Sequence, residues 1–215
     1  MGSPKGFLSA NQLALAQAFF RQTSGFFLTG GAVLAGWELA HRSTDDLDLF
    51  TDSDDAMRAG EHALLLAAAE LGGTVEAIST SPDFRRLKVR VGEEQLKVDL
   101  VRDRAVQLFD KVERDGVRTD EAREIFVNKI CTLVERSEIR DVIDLLLLER
   151  RGLKVEDYLE LAQKKDSGTS AATIAWLVAS MRVPEQLPGG VSKDEVVSWL
   201  RSLETRMLAV AASAR

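Results

Sequence analysis

Two aspartates one residue apart form the part of this chain best suited to bind a metal ion. Asp46 and Asp48 lie in the motif Asp-Asp-Leu-Asp-Leu-Phe at residues 45–50. Because successive side chains of a β-strand point to opposite faces, these two carboxylates project from the same face. Carboxylates that share a face repel each other, and a divalent cation between them relieves the repulsion. The spacing therefore predicts a metal site on a strand.

A glycine pair precedes the aspartate motif. Gly30 and Gly31 stand between an apolar run at residues 26–29, predicted to be a strand, and a predicted helix at residues 32–40. Glycine lets the backbone approach a phosphate closely, and the amides that open a helix attract the phosphate. A phosphate cradle followed by a metal site indicates metal-assisted nucleotidyl transfer.

A third carboxylate, Asp99, lies in a predicted β-hairpin. The hairpin strands, residues 84–91 and 95–101, alternate apolar and polar side chains around a turn at residues 92–94. If the second strand lies beside residues 46–50, Asp99 joins the other two aspartates on one sheet face. Three carboxylates there can hold two Mg²⁺ ions. The alternative is that the aspartate motif is a solvated turn and that Asp99 is a surface residue.

The polar face of the same hairpin carries positive charge. Its cations are Arg86, Lys88, Arg90 and Lys97. We expect these side chains to form one basic patch, which would offset the charge of a nucleoside triphosphate or of RNA. Lys88 is assigned to nucleotide binding on this ground.

Composition narrows the class of protein. A net charge of −6 argues against a general nucleic-acid-binding protein, which is normally basic, but it leaves room for a local basic groove. Cys131 is the single cysteine, so the chain forms no internal disulfide, and a reducing cytoplasm is the expected location. No apolar run approaches the ~18 residues of a membrane span. The sequence thus predicts no membrane partner.

The periodicity of apolar residues predicts an α+β fold in two domains. Residues 1–117 alternate strand and helix signals and form a mixed sheet with helices on one face, after a flexible leader at residues 1–5. Residues 118–215 form a helical bundle that completes the active-site cleft. The helices of this second domain are predicted at residues 119–135, 137–150, 155–165, 169–181 and 193–212.

The aspartate motif and its surroundings resemble a known family. Residues 41–50 read His-Arg-Ser-Thr-Asp-Asp-Leu-Asp-Leu-Phe, and they follow Gly30-Gly31. This order resembles the AbiEii/AbiGii-toxin-like members of the polymerase-β-type nucleotidyltransferase superfamily. Lys129 and the run Arg-Asp-Val-Ile-Asp-Leu at residues 140–145 resemble two later elements of the same family. The second glycine replaces a serine that is common in the wider superfamily, although Gly-Gly is usual in this subgroup.

The resemblance implies a role for individual residues over about residues 26–148. Asp46 and Asp48 would be metal ligands, joined by Asp99. The nucleotide phosphates would be lined by Gly30, Gly31 and Thr44, with Arg42 steadying that loop. The catalytic set would also include Lys129 and Asp141, and the nucleotide-binding set would include Arg140 and Asp144, with Lys88 added from the hairpin face rather than from the resemblance.

The positions of Lys129, Asp141 and Asp144 on their helices agree with a special role. Lys129 falls within the apolar arc of its predicted helix, where a solvated lysine is unusual; the alternative is that it extends past the edge of the core. Asp141 and Asp144 share one side of the next helix. They would orient Lys129 or Arg140, or act as a base on the acceptor hydroxyl, unless Arg140 and Asp144 form a purely structural pair.

These observations predict a Mg²⁺-dependent nucleotidyltransferase. It would move a nucleoside monophosphate from an NTP to an acceptor and release pyrophosphate, with two metal ions activating the attacking hydroxyl and neutralising the leaving group. By resemblance, the acceptor is tRNA, another RNA or a protein, and the enzyme is a toxin restrained by an antitoxin. Two alternatives stay open: a nucleotidyltransferase for small aminoglycoside-like acceptors, and a nucleotide-binding protein without turnover.

Overall fold

The computed structural model of the protein describes residues 8–213; the leader predicted for residues 1–5 lies outside this range. The described residues form an α+β fold, which confirms the predicted class. The strands are β1 (Phe27–Thr29), β2 (Asp46–Thr51), β3 (Thr74–Thr80), β4 (Phe84–Val91), β5 (Glu94–Arg102), β6 (Val112–Arg114) and β7 (Val117–Thr119). The helices are α1 (Ala10–Gln22), α2 (Gly30–Val33), α3 (Asp54–Glu70), α4 (Ala122–Glu135), α5 (Ile139–Glu149), α6 (Val155–Lys165), α7 (Ala171–Ser180) and α8 (Lys193–Ser213).

The chain forms two compact units. The first contains Phe109–Glu121 and the described residues up to Arg104, and the second contains Ala105–Leu108 and the described residues from Ala122 onward. All seven strands belong to the first unit. The second unit is helical.

A single mixed sheet organises the first unit. Its strand order is β3-β4-β5-β2-β1-β7-β6. The pairs β2–β5 and β1–β7 are parallel, and the other neighbours are antiparallel. The parallel β2–β5 pair is the one that the sequence analysis required in order to bring Asp99 beside the aspartate motif.

One face of the sheet is the core of the first unit. Along β2 every second residue is buried, so Leu47 and Leu49 point inward while Asp46 and Asp48 lie on the other face. Helices α1 and α3 pack against each other, and α3 contacts β2, β4 and β5. A Cβ at Gly60 of α3 would lie 2.6 Å from the Phe26 ring, so only glycine allows this close approach.

Three local features differ from the sequence analysis. Helix α1, to which no pattern was assigned, begins with a capping box in which Ser9 and Gln12 exchange hydrogen bonds. The hairpin β6–β7 was also missed; both of its turn residues, Asp115 and Gly116, have positive φ. The helix expected from residue 119 is therefore wrong at its start, because Thr119 ends β7 and the helix begins at Ala122.

The helices of the second unit are held by an apolar core and by a half-buried group of ion pairs around Arg206. The Arg206 guanidinium on α8 binds Glu149 of α5 and Glu156 of α6, at N–O distances of 2.9 and 2.7 Å. The Trp199 indole donates to the same Glu149 at 2.6 Å. Three helices are thus joined at one arginine. No helix among residues 8–213 is long and apolar enough to cross a membrane.

Candidate active site

The three predicted carboxylates lie on neighbouring positions of one sheet face in the first unit. Asp48 of β2 is directly opposite Asp99 of β5, and Asp46 stands two residues before Asp48 on the same face. On its other side Asp48 is opposite Thr29 of β1. Adjacent strands are about 4.8 Å apart, so the carboxylates of Asp48 and Asp99 are close neighbours. This face is the one that the alternating pattern leaves polar.

Two of these carboxylates face a cation of the protein itself. The Arg86 guanidinium donates two hydrogen bonds to Asp99, from Nε at 2.9 Å and from Nη2 at 2.7 Å. The Lys97 ammonium lies 2.7 Å from Asp46 Oδ1. This second contact is an ion pair without hydrogen-bond alignment, since the same Oδ1 is buried and accepts no hydrogen bond. The Asp99 side chain is only 7% exposed, whereas that of Arg86 is 41% exposed.

The glycine pair lies against the aspartate motif. Gly30 has a φ of +65°, and a Cβ there would lie 3.0 Å from Asp48 Oδ2. A Cβ at Gly31 would lie 3.3 Å from both the Arg42 guanidinium and the Thr44 hydroxyl. The Thr44 hydroxyl donates to the Asp46 carbonyl at 3.3 Å. The backbone carbonyl of Thr44 accepts from the Gln12 side chain at 2.8 Å. The structure therefore brings Gly30, Gly31, Arg42 and Thr44 together with Asp46 and Asp48.

A buried group that the sequence analysis missed supports this corner. Asp120, fully buried after β7, accepts from the Thr29 hydroxyl at 2.5 Å and from the Lys111 ammonium at 2.5 Å. Thr29 immediately precedes Gly30 and is opposite Asp48. Its hydrogen bond to Asp120 therefore fixes the end of β1 where the glycine turn begins. The sequence does show an acidic residue at position 120. Only the parallel pairing of β1 with β7, however, brings Asp120 next to Thr29.

The donor chemistry of the carboxylates fits Mg²⁺, although the side chains are not arranged around an ion. Among residues 8–213, no group of three or more Asp, Glu, His or Cys side chains is placed to hold a metal. Arg86 and Lys97 lie against two of the three aspartates instead. Aspartate oxygens are the ligands that Mg²⁺ prefers. The buried Asp46 Oδ1, which accepts no hydrogen bond, is an oxygen that such an ion would satisfy.

The basic side chains of the hairpin share one face, as expected, but three of them are paired with carboxylates. Arg86, Lys88 and Lys97 each lie against a carboxylate; the partner of Lys88 is Glu76, at 2.5 Å. Glu76 is directly opposite Lys88 on β3. Because β3 adds this glutamate next to the hairpin, the face is charge-compensated and the expectation of a net basic patch is wrong.

Lys129, Asp141 and Asp144 form a buried ionic cluster in the second unit. The Lys129 ammonium lies 2.5 Å from Asp141 and 2.9 Å from Asp144, and all three residues are buried. Burial alone would lower the pKa of Lys129, but attraction to Asp144 and Asp141 outweighs it and raises this pKa. Burial likewise tends to raise the pKa of Asp141, but Lys129 and Arg136 hold it below its ordinary value.

Arg136 rather than Arg140 contacts the cluster. The Arg136 guanidinium donates to both oxygens of Asp141, at 2.9 and 3.2 Å, and its side chain is half exposed. Arg140 lies 3.4 Å from Glu138 on the exposed side of the helix start. Of the alternatives for the two aspartates, the contact with Lys129 is the one that forms, and Arg136 is a neighbour that the sequence did not indicate.

The fold of this chain is similar to those of several solved structures. MenT4, a nucleotidyltransferase toxin from Mycobacterium tuberculosis H37Rv, superimposes with a TM-score of 0.57 at 14% identity, over 91% of this chain and 80% of that one. JHP933 and a candidate nucleotidyltransferase, both from Helicobacter pylori, each give a TM-score of 0.56 at 16% identity. They are matched over 95% and 94% of this chain and 94% and 99% of theirs, respectively. The shared fold is that of a nucleotidyltransferase.

The family is defined more closely by the sequence. Residues 13–195 match the family described as nucleotidyl transferase AbiEii toxin of a type IV toxin–antitoxin system, and the chain belongs to that family. The resemblance recognised in the aspartate motif is thereby confirmed, and the protein is a nucleotidyltransferase. No curated protein matches the sequence.

Proposed function

We propose that this protein is a Mg²⁺-dependent nucleotidyltransferase that transfers a nucleoside monophosphate from an NTP to a macromolecular acceptor and releases pyrophosphate. The observation that carries the proposal is the position of Gly30 against Asp48, with Asp46 and Asp99 on the same sheet face. This arrangement places a backbone that admits phosphate next to carboxylates that attract metal ions.

The side chains of the first unit have separate tasks in this proposal. Asp46, Asp48 and Asp99 would hold the metal ions. When bound, these ions lower the pKa of the attacking hydroxyl and neutralise the pyrophosphate. The backbone of Gly30 and Gly31 admits the phosphates, and catalysis in such enzymes is mainly positioning and charge stabilisation.

Residues around this centre hold it in place. Arg42 and Thr44 contact the glycine pair and thereby fix the loop that enters β2. Lys88 is a further candidate for the triphosphate, although it pairs with Glu76 in the absence of ligand.

The buried cluster of the second unit is assigned to the reaction on the family resemblance. We propose that Lys129 and Asp141 are catalytic and that Arg140 and Asp144 bind the nucleotide. The burial of a lysine between two carboxylates supports a specific task, because such a group is costly to keep in a core. The partially exposed Arg136 contact shows that Asp141 lies near the surface of its own unit.

The acceptor and partner follow from the family rather than from a surface of this chain. A toxin of a type IV toxin–antitoxin system implies an antitoxin and a cellular target, and we propose RNA, tRNA in particular, or a protein as that target. The charge-compensated hairpin face reduces the support for RNA that the sequence gave. We propose a cytoplasmic location, which NTP use and the single free cysteine, Cys131, support.

Incorporation of label identifies the acceptor class. The protein is incubated with each of the four α-³²P-labelled NTPs and Mg²⁺, in parallel with total cellular RNA, with nuclease-treated lysate protein and with an aminoglycoside. We expect label in RNA or protein and none in the aminoglycoside. Label confined to the aminoglycoside would support the small-molecule alternative, and bound but unconsumed NTP would support the binding protein without turnover.

A further inference from the structure

Two cations of the protein, Arg86 and Lys97, lie against carboxylates that a metal ion would need. Arg86 is directly opposite Asp99 across the β4–β5 pair, and its fork spans both oxygens of that carboxylate. Lys97 is opposite Asp46 across the β2–β5 pair and contacts its Oδ1. A metal ion bound to Asp99 or Asp46 must therefore displace a cation that the fold already holds there.

The charges of the site favour an exchange of partners over simple addition. Without ligand, three carboxylates face one guanidinium and one ammonium, so the group is nearly balanced. A metal ion alone would stand beside two fixed cations, and a triphosphate alone would stand beside three carboxylates. The charges of metal ions and triphosphate nearly cancel, so the two can enter together while the carboxylates turn to the metal and the cations turn to the phosphates.

Arg86 is shaped for such an exchange. An arginine fork binds a carboxylate and a phosphate with the same bidentate geometry. Its guanidinium lies 5.4 Å from the centre of the Phe84 ring, and 41% of its side chain is exposed, so it can reach a ligand on the open side. The hydrogen bond with Asp99, together with weaker attraction to Asp46 and Asp48, raises the pKa of Arg86 above its ordinary value.

We propose that Arg86, assisted by Lys97, is an internal counter-cation that occupies the carboxylates before substrate arrives and then binds the triphosphate when metal ions take its place. The proposal rests on the proposed function, since it uses the same carboxylates as metal ligands. Its consequence is that metal and triphosphate bind cooperatively. By thermodynamic linkage, whatever weakens the Arg86–Asp99 pair must strengthen the binding of metal alone.

The test measures binding of Mn²⁺ to the full-length protein, without turnover. Arg86→Gln removes the guanidinium, and Arg201→Gln is the matched control, since Arg201 is an exposed arginine of α8 outside the hairpin. Free Mn²⁺ is followed by electron paramagnetic resonance in the absence of nucleotide. Arg86→Gln is expected to bind Mn²⁺ about tenfold more tightly than wild type, the scale set by loss of a competing charge-assisted pair, and Arg201→Gln is expected to match wild type.

The second arm uses an equimolar complex of Mn²⁺ with inorganic tripolyphosphate, which does not depend on the choice of base. For this complex the tenfold gain of Arg86→Gln is expected to be lost, because the missing phosphate contact offsets the carboxylate pair that only the wild type must break. A gain for Mn²⁺ alone that is absent for the complex is the signature of an exchange, and an equal gain in both arms would overturn it. A purely structural Arg86 would leave Mn²⁺ binding unchanged or weaken it in both arms, and either result would overturn the proposal.

Two further variants separate the possible failures. Asp48→Asn tests the metal site itself: if it binds Mn²⁺ like wild type, the proposed function has lost its metal ligands. If Asp48→Asn loses Mn²⁺ while Arg86→Gln does not gain it, only the exchange is wrong. Should Arg86→Gln unfold, Arg86→Lys keeps the charge without the fork and is expected to show the same difference between the two arms at smaller amplitude.

Discussion

At the scale of single residues, the proposed function depends on carboxylates whose surroundings differ. Asp48 lies beside a glycine, whereas Asp99 is held by both donors of Arg86. The same Asp→Asn change should therefore have the same effect on activity at both positions and different effects on stability.

Asp99→Asn should abolish transfer and lower the free energy of unfolding by about 1 kcal/mol. A charge-assisted pair contributes about 1.5–3 kcal/mol when buried, and the partial exposure of Arg86 reduces this value. Asp48→Asn should also abolish transfer while leaving the urea midpoint almost unchanged, because it relieves repulsion on the shared face. Equal destabilisation by both substitutions would contradict the separate roles of the two carboxylates.

Lys129→Met should destabilise the protein strongly, because it removes the buried ammonium that Asp141 and Asp144 share, although Arg136 still contacts Asp141. Removing one partner of a buried pair costs about 3–5 kcal/mol. Urea denaturation measures this cost, and Lys164→Met, at an exposed position of α6, is the control with an expected change near zero. A loss of activity in Lys129→Met has to be interpreted on the folded fraction alone.

The pH dependence of stability carries the signature of the same cluster. The raised pKa of Lys129 adds stability that is present below its ordinary value of 10.5 and lost as pH rises through the folded pKa. The lowered pKa of Asp141 adds stability that is present above 3.8 and lost as pH falls through the folded pKa. The loss of stability caused by Lys129→Met should therefore be largest between pH 3.8 and pH 10.5. An equal loss at all pH values would show that packing, not charge, dominates.

At the scale of elements, the turn from β1 into α2 is where the proposed function requires phosphate to approach. Gly30 and Gly72 have the same φ of +65°, but only the Gly30 Cβ position faces another group, Asp48; nothing lies within 4 Å of the Gly72 position. Substitution by alanine should cost each site a similar ~1 kcal/mol for the left-handed backbone. The two sites separate backbone strain from a role in binding.

Gly30→Ala should lose nucleotidyl transfer, whereas Gly72→Ala should retain it at an equal thermal midpoint. The physical reason is the added methyl group 3.0 Å from Asp48 Oδ2, on the side where the phosphate would approach. Label transfer and thermal unfolding are measured on both variants. Full activity in Gly30→Ala would remove the phosphate cradle from the account.

The sequence predicted the strands in which apolar and polar residues alternate regularly. Strands β2, β4 and β5 followed from residues that alternate between core and polar face, and the position of Asp99 followed from their pairing. Helix α1 was missed because apolar residues lie on most of its sides, and β6–β7 because its strands have only three residues each. The internal ion pairs could not be predicted, since Arg86–Asp99 and Lys88–Glu76 depend on the register of three strands.

At the scale of the whole molecule, charge favours selective over general contact with RNA. The chain has a net charge of −6, and three of the four basic residues of the hairpin face lie against carboxylates. We therefore expect weak binding to a homopolymer such as poly(U), with a log–log salt slope of about −1 or smaller in magnitude. Fluorescence anisotropy measures this slope; a steep slope that flattens in Lys88→Gln would restore the basic face as an RNA site.

Transfer of labelled nucleoside monophosphate by a matched pair of variants tests the central claim most directly. Asp48→Asn and Asp45→Asn change the same chemical group in one motif, but Asp45 is exposed and precedes the strand. With the acceptor that the labelling experiment identifies, Asp48→Asn is predicted to lose at least about 10²-fold in initial rate, as expected when charge stabilisation is removed, while Asp45→Asn keeps the wild-type rate. Equal rates in the two variants would contradict the assignment of the carboxylate face as the active site.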